Sequence, residues 1–169
     1  QLDVKWVKDQ LAQARLIPSI PKLILPPTHV SKKNWLAYQA RFIESKRIQA
    51  GAKFWKDNQS LLDQAQQTYG VPPWLIVGII GVETFYGQHT GNFRILDALS
   101  TLTFDFPSAH PRAAERQAFF SKELAQFLVM VSKEKIKSTQ VKGSYAGAMG
   151  LPQFMPSSWA KFAVDFDGD

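Results

Sequence analysis

The stretch Val71-Pro-Pro-Trp-Leu-Ile-Val-Gly-Ile-Ile-Gly-Val-Glu-Thr-Phe-Tyr-Gly87 decides how this chain folds. It opens with two prolines, which suit the first turn of a helix because no N–H is needed there and the ring already fixes a helical φ. No polar side chain occurs from Trp74 to Val82. We therefore predict a helix that begins at Pro72 and is buried on most sides, with Gly78 and Gly81 allowing close approach of a neighbouring element.

Glu83 is the one acidic residue of this stretch and lies near its end. On a helix it shares a face with Ile79, Ile80 and Tyr86. Apolar surroundings disfavour the charged carboxylate and raise its pKa, which lets a buried glutamic acid serve as a general acid near neutral pH. A buried glutamate that is only hydrogen-bonded or ion-paired is a second interpretation, and both stay open on this stretch alone.

Composition limits the classes of protein to which the chain can belong. With 169 residues, 45% of them apolar, it has the size and composition of a folded domain. The absence of cysteine excludes disulfides and thiolate metal sites. The net charge of +6 fits either an acidic partner, such as an anionic cell-wall polymer, or an ordinary basic surface. We expect no nucleic acid partner, because no basic tract or nucleic-acid motif is present.

Helical periodicity describes most of the chain and no strand pattern of any length occurs, so the predicted class is mainly α. Four prolines between residues 17 and 30 predict an extended connector that lies against the body of the protein. A loop is expected over residues 133–142, and Gly70 is expected to end the longest helix. The predicted helices span residues 2–14, from Ser31 or Asn34 to about 43, 45–69, from 72 onward, 96–102, 113–131 and 156–164, the last capped by Ser157 or a neighbour.

Apolar stripes on two of these helices predict which side faces the interior. The helix that follows residue 31 is expected to bury Trp35, Tyr38, Phe42 and Ile43. The helix over 45–69 is expected to bury Ile48, Ala52, Trp55, Leu62, Ala65 and Tyr69.

The last residues, Asp165-Phe-Asp-Gly-Asp169, place carboxylates at positions 1, 3 and 5 of an EF-hand calcium loop. The sequence ends before the remaining ligand positions. A solvated turn accounts for three closely spaced aspartates equally well. From the residues alone, calcium binding and a plain turn both remain open.

The sequence contains four motif blocks, which are Gly81–Gly87, Arg94–Leu99, Gly143–Ser158 and Val164–Asp169. In content and order they closely resemble the lytic murein transglycosylase B family, also known as glycoside hydrolase family 103. The resemblance implies a lysozyme-like, mainly α catalytic core over residues 70–169, preceded by an α-helical N-terminal region over residues 1–69. It also implies cleavage of the bond between N-acetylmuramic acid and N-acetylglucosamine in peptidoglycan, with a 1,6-anhydromuramyl product.

The resemblance assigns roles to particular residues. Glu83 is the single catalytic acid and base. Ser144 and Gln153 are implied substrate contacts, with loop capping as the alternative interpretation of each. The match of Tyr38 to the family's sugar-contacting tyrosine is less close. Tyr145 is a further candidate contact, although core packing is the simpler interpretation. The Asp-rich block is implied to hold structural calcium through Asp165, Asp167 and Asp169, whereas catalysis needs no cofactor.

A mechanism with one carboxylate agrees with the motifs, since no second acid accompanies Glu83 in them. Asp97 is the nearest candidate, and its setting in Ile95-Leu-Asp-Ala-Leu99 indicates a structural role. In the family the N-acetyl carbonyl of the sugar replaces the second carboxylate, and the C6 hydroxyl then attacks C1 within the bound sugar. Such an intramolecular attack exploits a high effective concentration.

The sequence departs from the family pattern at two places. An insertion around Ser108–Pro111 leaves open whether Arg112 or Arg116 takes the substrate-facing position, and Arg116 is our choice. The sequence also ends at Asp169, before the rest of the family's core, so a second fragment is one way to complete the C-terminal part.

The resemblance implies peptidoglycan glycan strands as the partner and a periplasmic location with outer-membrane association in the full-length protein. A lipid anchor upstream of residue 1 fits that location, and the start at Gln1 fits a processed or trimmed chain. The competing hypothesis is a peptidoglycan-binding or scaffold module without catalytic activity.

Overall fold

A computed structural model describes residues 2–27 and 34–165 of the chain. These residues form helices joined by short loops, with one two-stranded antiparallel sheet, which confirms the mainly α class. The elements in chain order are α1 (Val4–Leu11), α2 (Ile20–Leu23), α3 (Trp35–Ala40), α4 (Ser45–Asp57), α5 (Gln59–Tyr69), α6 (Pro73–Thr84), β1 (Phe93–Arg94), α7 (Ile95–Phe104), α8 (Ala113–Lys133), β2 (Lys142–Gly143) and α9 (Pro156–Phe162).

The chain divides into two compact units. Unit 1 consists of residues 1–28 and 91–163, and unit 2 consists of residues 29–90 and 164–169. The divisions between these units fall at other places than the predicted boundary between residues 69 and 70. That boundary stays a prediction.

The core of unit 1 is built around α7, whose side chains from Ile95 to Leu102 are all buried. α7 packs against α8, which contributes Phe120 and Phe127, each at most 1% exposed. Burial of one such large apolar side chain stabilises a fold by about 1.5–3 kcal/mol. Ile20 of α2 is also fully buried, which confirms that the proline-rich segment lies against the body. The segment is not wholly extended, however, because Pro21 is accommodated in the first turn of α2.

Asp97 of α7 holds the N-terminal segment in place within unit 1. Its Oδ1 accepts a hydrogen bond from the backbone N–H of Arg15 at 3.0 Å, and its Oδ2 lies 3.4 Å from Nε of Arg94. One turn further on, Oγ1 of Thr101 accepts the N–H of Ile17 at 3.1 Å. Buried polar groups need such partners. These contacts agree with the structural role that the sequence indicated for Asp97.

Unit 2 differs from the sequence predictions in the length and burial of its helices. The predicted helix over 45–69 is broken at Asn58, whose side chain donates to the carbonyl oxygen of Phe54 at 2.8 Å. Asparagine competes in this way with regular helical hydrogen bonds. Gly70 ends α5 in the left-handed conformation with φ of 70°, as predicted. Asn34 caps α3 through the N–H of Ala37, whereas Ser31 lies outside the described residues.

The predicted interior sides of these helices are largely wrong. Leu62 is buried as expected. On α4 the stripe marked the wrong side, because Gly51 is buried and Phe54 is half-buried, whereas the stripe residues of this helix are exposed. The exposed members of the two stripes are Trp35, Tyr38, Ile43, Ile48, Ala52, Trp55 and Tyr69.

α6 is likewise buried on one side only. Pro73, Val77, Gly81 and Thr84 face the interior of unit 2. The prediction that α6 is buried on most sides is therefore wrong, since an all-apolar helix carries no polar stripe to mark its solvent side. Its exposed side carries Trp74, Leu75, Gly78, Ile79, Val82 and Glu83.

Candidate active site

Glu83 lies in the last turn of α6, with Thr84 as the final helical residue. The two prolines begin this helix as predicted, with Pro72 at the N-cap and Pro73 in the first turn. The side chain of Glu83 is exposed, which corrects the expectation that apolar neighbours bury it. Among the ion pairs of the described residues none includes Glu83. The carboxyl group is therefore open to a ligand.

Thr84 fixes the chain directly after Glu83. Its side chain is 1% exposed, and its hydroxyl donates to the carbonyl oxygen of Ile80 at 3.2 Å while accepting the N–H of Gly87 at 3.1 Å. Its own carbonyl oxygen accepts the N–H of His89 at 2.9 Å. The sequence analysis assigned no role to this threonine, although it lies inside the block Gly81–Gly87. Its position indicates such a role, because a threonine next to a helix end often forms hydrogen bonds with the backbone.

Phe85 and Tyr86 both adopt left-handed backbone conformations, with φ of 50° and 57°. Such conformations cost about 1–3 kcal/mol in residues other than glycine and occur preferentially at functional sites. The Tyr86 ring occupies a slot between α4 and α6, where a Cβ atom on Gly51 or Gly81 would collide with it. This confirms the predicted close approach at Gly81, whereas Gly78 faces open space.

Tyr38 lies in an aromatic cluster on α3. Its ring stacks on Trp35 with centroids 5.7 Å apart and contacts Phe42 at 5.0 Å. Tyr38 is 50% exposed and Trp35 is 66% exposed, which corrects the prediction that they point inward. Exposed aromatic faces can bind the apolar faces of sugar rings. The exposure leaves Tyr38 available for the substrate contact that the resemblance implies.

Ser144 and Gln153 lie in the irregular segment that follows β2. The hydroxyl of Ser144 accepts the N–H groups of Ala146 at 3.3 Å and Ala148 at 3.0 Å, so it stabilises the turn. Gln153 has a φ of 52° and its Nε2 donates to the carbonyl oxygen of Gly150 at 3.0 Å. Both side chains are half-buried. Their local bonds account for loop capping, and their role toward a substrate stays a prediction.

The two candidate arginines differ in their surroundings. Arg112 forms hydrogen bonds with the carboxylate of Glu115, which raise the pKa of Arg112 and lower the pKa of Glu115. Arg116 is half-buried, with its guanidinium carbon 5.1 Å from the ring centroid of Phe119 and 5.0 Å from that of Phe120. Arg112 is therefore paired with Glu115 in the first turn of α8. Arg116 remains our choice for the substrate-facing arginine.

Tyr145 packs against the core of unit 1, in edge contact with Phe93 at 6.5 Å between ring centroids. Glu83 and Tyr38 belong to unit 2, whereas Arg116, Ser144, Tyr145 and Gln153 belong to unit 1.

Two charged residues outside the motifs have structural partners far along the chain. Arg47 bonds to Gly81, and Glu123 bonds to Ser157.

The prediction that Ser157 or a neighbour caps the last helix is wrong, because Glu123 of α8 binds the start of that helix instead. Its carboxylate accepts the backbone N–H of Ser157 at 2.9 Å and the Ser157 hydroxyl at 2.6 Å. The N-cap residue of α9 is Met155, which gives no side-chain cap. A buried glutamate on α8 therefore satisfies the start of α9, and Ser157 acts as a donor.

The structure describes one residue of the predicted calcium loop, Asp165, which is exposed. Asp167 and Asp169 lie outside the described residues. Within the described ranges no group of three or more His, Cys, Asp or Glu side chains could hold a metal ion. Calcium binding at this loop therefore stays a prediction.

Comparison with known proteins decides the family. The model of the transglycosylase SLT domain matches residues 1–169. The chain belongs to this transglycosylase family. Membrane-bound lytic murein transglycosylase B of Escherichia coli (strain K12) is 43% identical over 175 residues, a match that covers 99% of this chain and 46% of the relative.

Solved structures of lytic transglycosylases share the fold. Soluble lytic transglycosylase SltB1 from Pseudomonas aeruginosa matches with a TM-score of 0.89 and 45% identity, over 99% of this chain and 54% of that one. Slt35 of Escherichia coli, solved with bulgecin A and with calcium, matches with a TM-score of 0.87 and 43% identity, over 99% and 51%. SltB3 from Pseudomonas aeruginosa, solved with NAG-anhNAM-pentapeptide, matches with a TM-score of 0.84 and 25% identity, over 99% and 42%.

These matches confirm the resemblance and the lysozyme-like, mainly helical fold of this transglycosylase domain. The chain spans about half the length of the curated relative that it matches. In the part of the chain that the structure describes, none of the helices combines the length and apolarity needed to cross a membrane.

Proposed function

We propose that this chain carries the catalytic centre of a peptidoglycan lytic transglycosylase, which cleaves the β-1,4 bond between MurNAc and GlcNAc and leaves 1,6-anhydroMurNAc ends. The observation that carries the proposal is the exposed carboxyl of Glu83, set in the last turn of α6 beside two left-handed residues in a chain of this family. Relatives solved with bulgecin A and with NAG-anhNAM-pentapeptide support the substrate class.

In the proposed reaction Glu83 acts first as an acid. Its proton moves to the bridging oxygen as the bond from C1 to that oxygen breaks. The N-acetyl carbonyl of the same sugar stabilises the positive charge that develops at C1. Because Glu83 is exposed, it is the bound glycan that excludes water from the carboxyl in the proposed complex.

Glu83 then acts as a base. Its carboxylate takes the proton of the C6 hydroxyl while O6 forms a bond to C1, which closes the anhydro ring and restores the protonated acid. No water enters the products. The attack takes place within one bound sugar, so it benefits from a high effective concentration. Tyr38 offers an exposed ring for contact with a sugar. We propose that hydrogen bonds with the substrate come from Ser144, Gln153 and Arg116.

Replacement of the acid tests the proposal. We expect Glu83→Gln to abolish release of anhydromuropeptides from purified sacculi, since the amide cannot give or take the proton, while the circular dichroism spectrum is unchanged. Glu44→Gln is the matched control, because Glu44 lies in the same unit, is exposed and forms no side-chain cap. If Glu83→Gln released products as fast as the parent, the assignment would be wrong.

A non-catalytic peptidoglycan-binding module is the second candidate, which the net charge of +6 also fits. Co-sedimentation with sacculi beside a turnover assay separates the two functions, because a binding module sediments without releasing products.

Location and metal binding form part of the same proposal. The relative described as membrane-bound supports a periplasmic protein associated with the outer membrane, and a lipid anchor upstream of residue 1 would supply the attachment. A relative solved with calcium supports a structural calcium ion at Asp165, Asp167 and Asp169.

A further inference from the structure

Arg47 of α4 joins the end of α6 to the aromatic cluster of α3 within unit 2. Its Nη1 donates a hydrogen bond to the carbonyl oxygen of Gly81. Its guanidinium carbon lies 4.4 Å from the ring centroid of Phe85 and 5.2 Å from that of Phe42. Phe42 in turn contacts Tyr38. One half-buried cation thus contacts three separate parts of the unit.

The bond to Gly81 satisfies a group that the helix cannot. Carbonyl groups in the last turn of a helix lack the N–H groups of a following turn. The amides of Phe85 and Tyr86 both point to the carbonyl oxygen of Ile80. The guanidinium therefore caps the C-terminal end of α6, where a cation also interacts favourably with the helix dipole.

The contact with Phe85 stabilises an unfavourable backbone conformation. Phe85 has φ of 50° and ψ of 53°, and residues other than glycine keep such values only where their surroundings impose them. A cation above the ring restricts the positions that this side chain can take. Phe85 follows Glu83 by two residues, so its position sets the direction in which the chain leaves the last turn.

We propose that Arg47 is a positioning residue that holds Glu83 in its productive orientation, an inference that rests on the proposed role of Glu83. Without the guanidinium, the end of α6 loses a hydrogen bond and Phe85 loses the cation above its ring. The carboxyl then spends less time where it can reach the bridging oxygen. Substrate affinity changes little, because Tyr38 keeps its stacking on Trp35.

The test compares kcat and KM of two variants in the full-length protein, on a soluble oligomer of alternating GlcNAc and MurNAc. For Arg47→Met, which keeps the apolar stem, we expect kcat to fall by on the order of 10- to 100-fold, the effect of small misplacements of catalytic groups. KM should change less than about threefold. Arg47→Lys keeps the charge without the planar guanidinium, so its kcat should lie between those of Arg47→Met and the parent.

Lys46→Met is the matched control, since Lys46 is the exposed neighbour of Arg47 on α4. Unchanged kcat in a folded Arg47→Met protein overturns the inference, as does a rise in KM with kcat unchanged. If Arg47→Met fails to fold, the kcat of the folded Arg47→Lys protein decides, and a value equal to the parent's overturns the inference. Full activity of Glu83→Gln, by contrast, overturns the proposed function itself.

Discussion

At the scale of single residues, the hydroxyl of Thr84 is the contact that most directly fixes the turn beside Glu83. It links the carbonyl oxygen of Ile80 to the N–H of Gly87 inside a buried site. We expect Thr84→Val to lower the free energy of unfolding by about 1–3 kcal/mol, because a valine of the same shape removes the acceptor of the Gly87 N–H and the hydrogen bond donated to Ile80. Urea denaturation followed by circular dichroism measures this loss.

Thr84→Ser is the control for this prediction, since it keeps the hydroxyl and removes one methyl group. It should lose clearly less stability than Thr84→Val. Equal losses in the two variants would assign the effect to packing and contradict the proposed hydrogen-bonding role.

The sequence singled out some residues of the candidate site and missed other long-range contacts for a physical reason. Glu83 and Gln153 could be found because each lies in a contiguous motif. Arg47 and Glu123 could not, because each bonds to a group 34 residues away and nothing in its own neighbourhood marks that partner. The exposure of Glu83 could not be predicted from the local sequence pattern either, since it depends on which other elements cover α6.

At the scale of elements, α6 contains two glycines whose surroundings predict opposite effects of the same substitution. A Cβ atom on Gly81 would lie 2.7 Å from Cζ of Tyr86, whereas a Cβ atom on Gly78 meets nothing within 4 Å. We expect Gly81→Ala to destabilise the fold by about 1–3 kcal/mol through overpacking. Gly78→Ala should stabilise it by about 0.5–1 kcal/mol, the ordinary gain of alanine in a helix.

Thermal unfolding of the two variants checks both predictions. Relative to the parent, the midpoint should be lower for Gly81→Ala and higher for Gly78→Ala. The double variant Gly81→Ala with Tyr86→Ala removes the obstructing ring, so the added cost of the alanine should nearly vanish in it. A destabilising effect of Gly81→Ala that persists without the ring would show that the slot is not its cause.

The elements themselves were predicted better than their burial. The buried helices of unit 1, α7 and α8, lie close to the predicted ranges because their apolar positions repeat at helical spacing. The break at Asn58 was missed, since it depends on one side chain competing for a backbone carbonyl. For α6 the uniform apolar run predicted a helix but held no information on which side would be covered.

At the scale of the whole molecule, the net charge of +6 predicts how binding to sacculi responds to salt. Sacculi carry carboxylates, so part of the attraction is electrostatic. Raising NaCl from about 0.1 M to about 1 M shortens the Debye length from roughly 10 Å to roughly 3 Å and screens exposed charges. We therefore expect Glu83→Gln protein to release from sacculi at high salt, with a severalfold lower bound fraction in co-sedimentation.

Chitin provides the uncharged comparison, because it offers N-acetylglucosamine rings without carboxylates. Binding to chitin through exposed rings such as Trp35 and Tyr38 should depend little on salt. Equal loss from both polymers would mean that salt disturbs the protein rather than the charge attraction. Unchanged binding to sacculi would mean that sugar contacts alone hold the protein, and the positive net charge would then be an ordinary property of its surface.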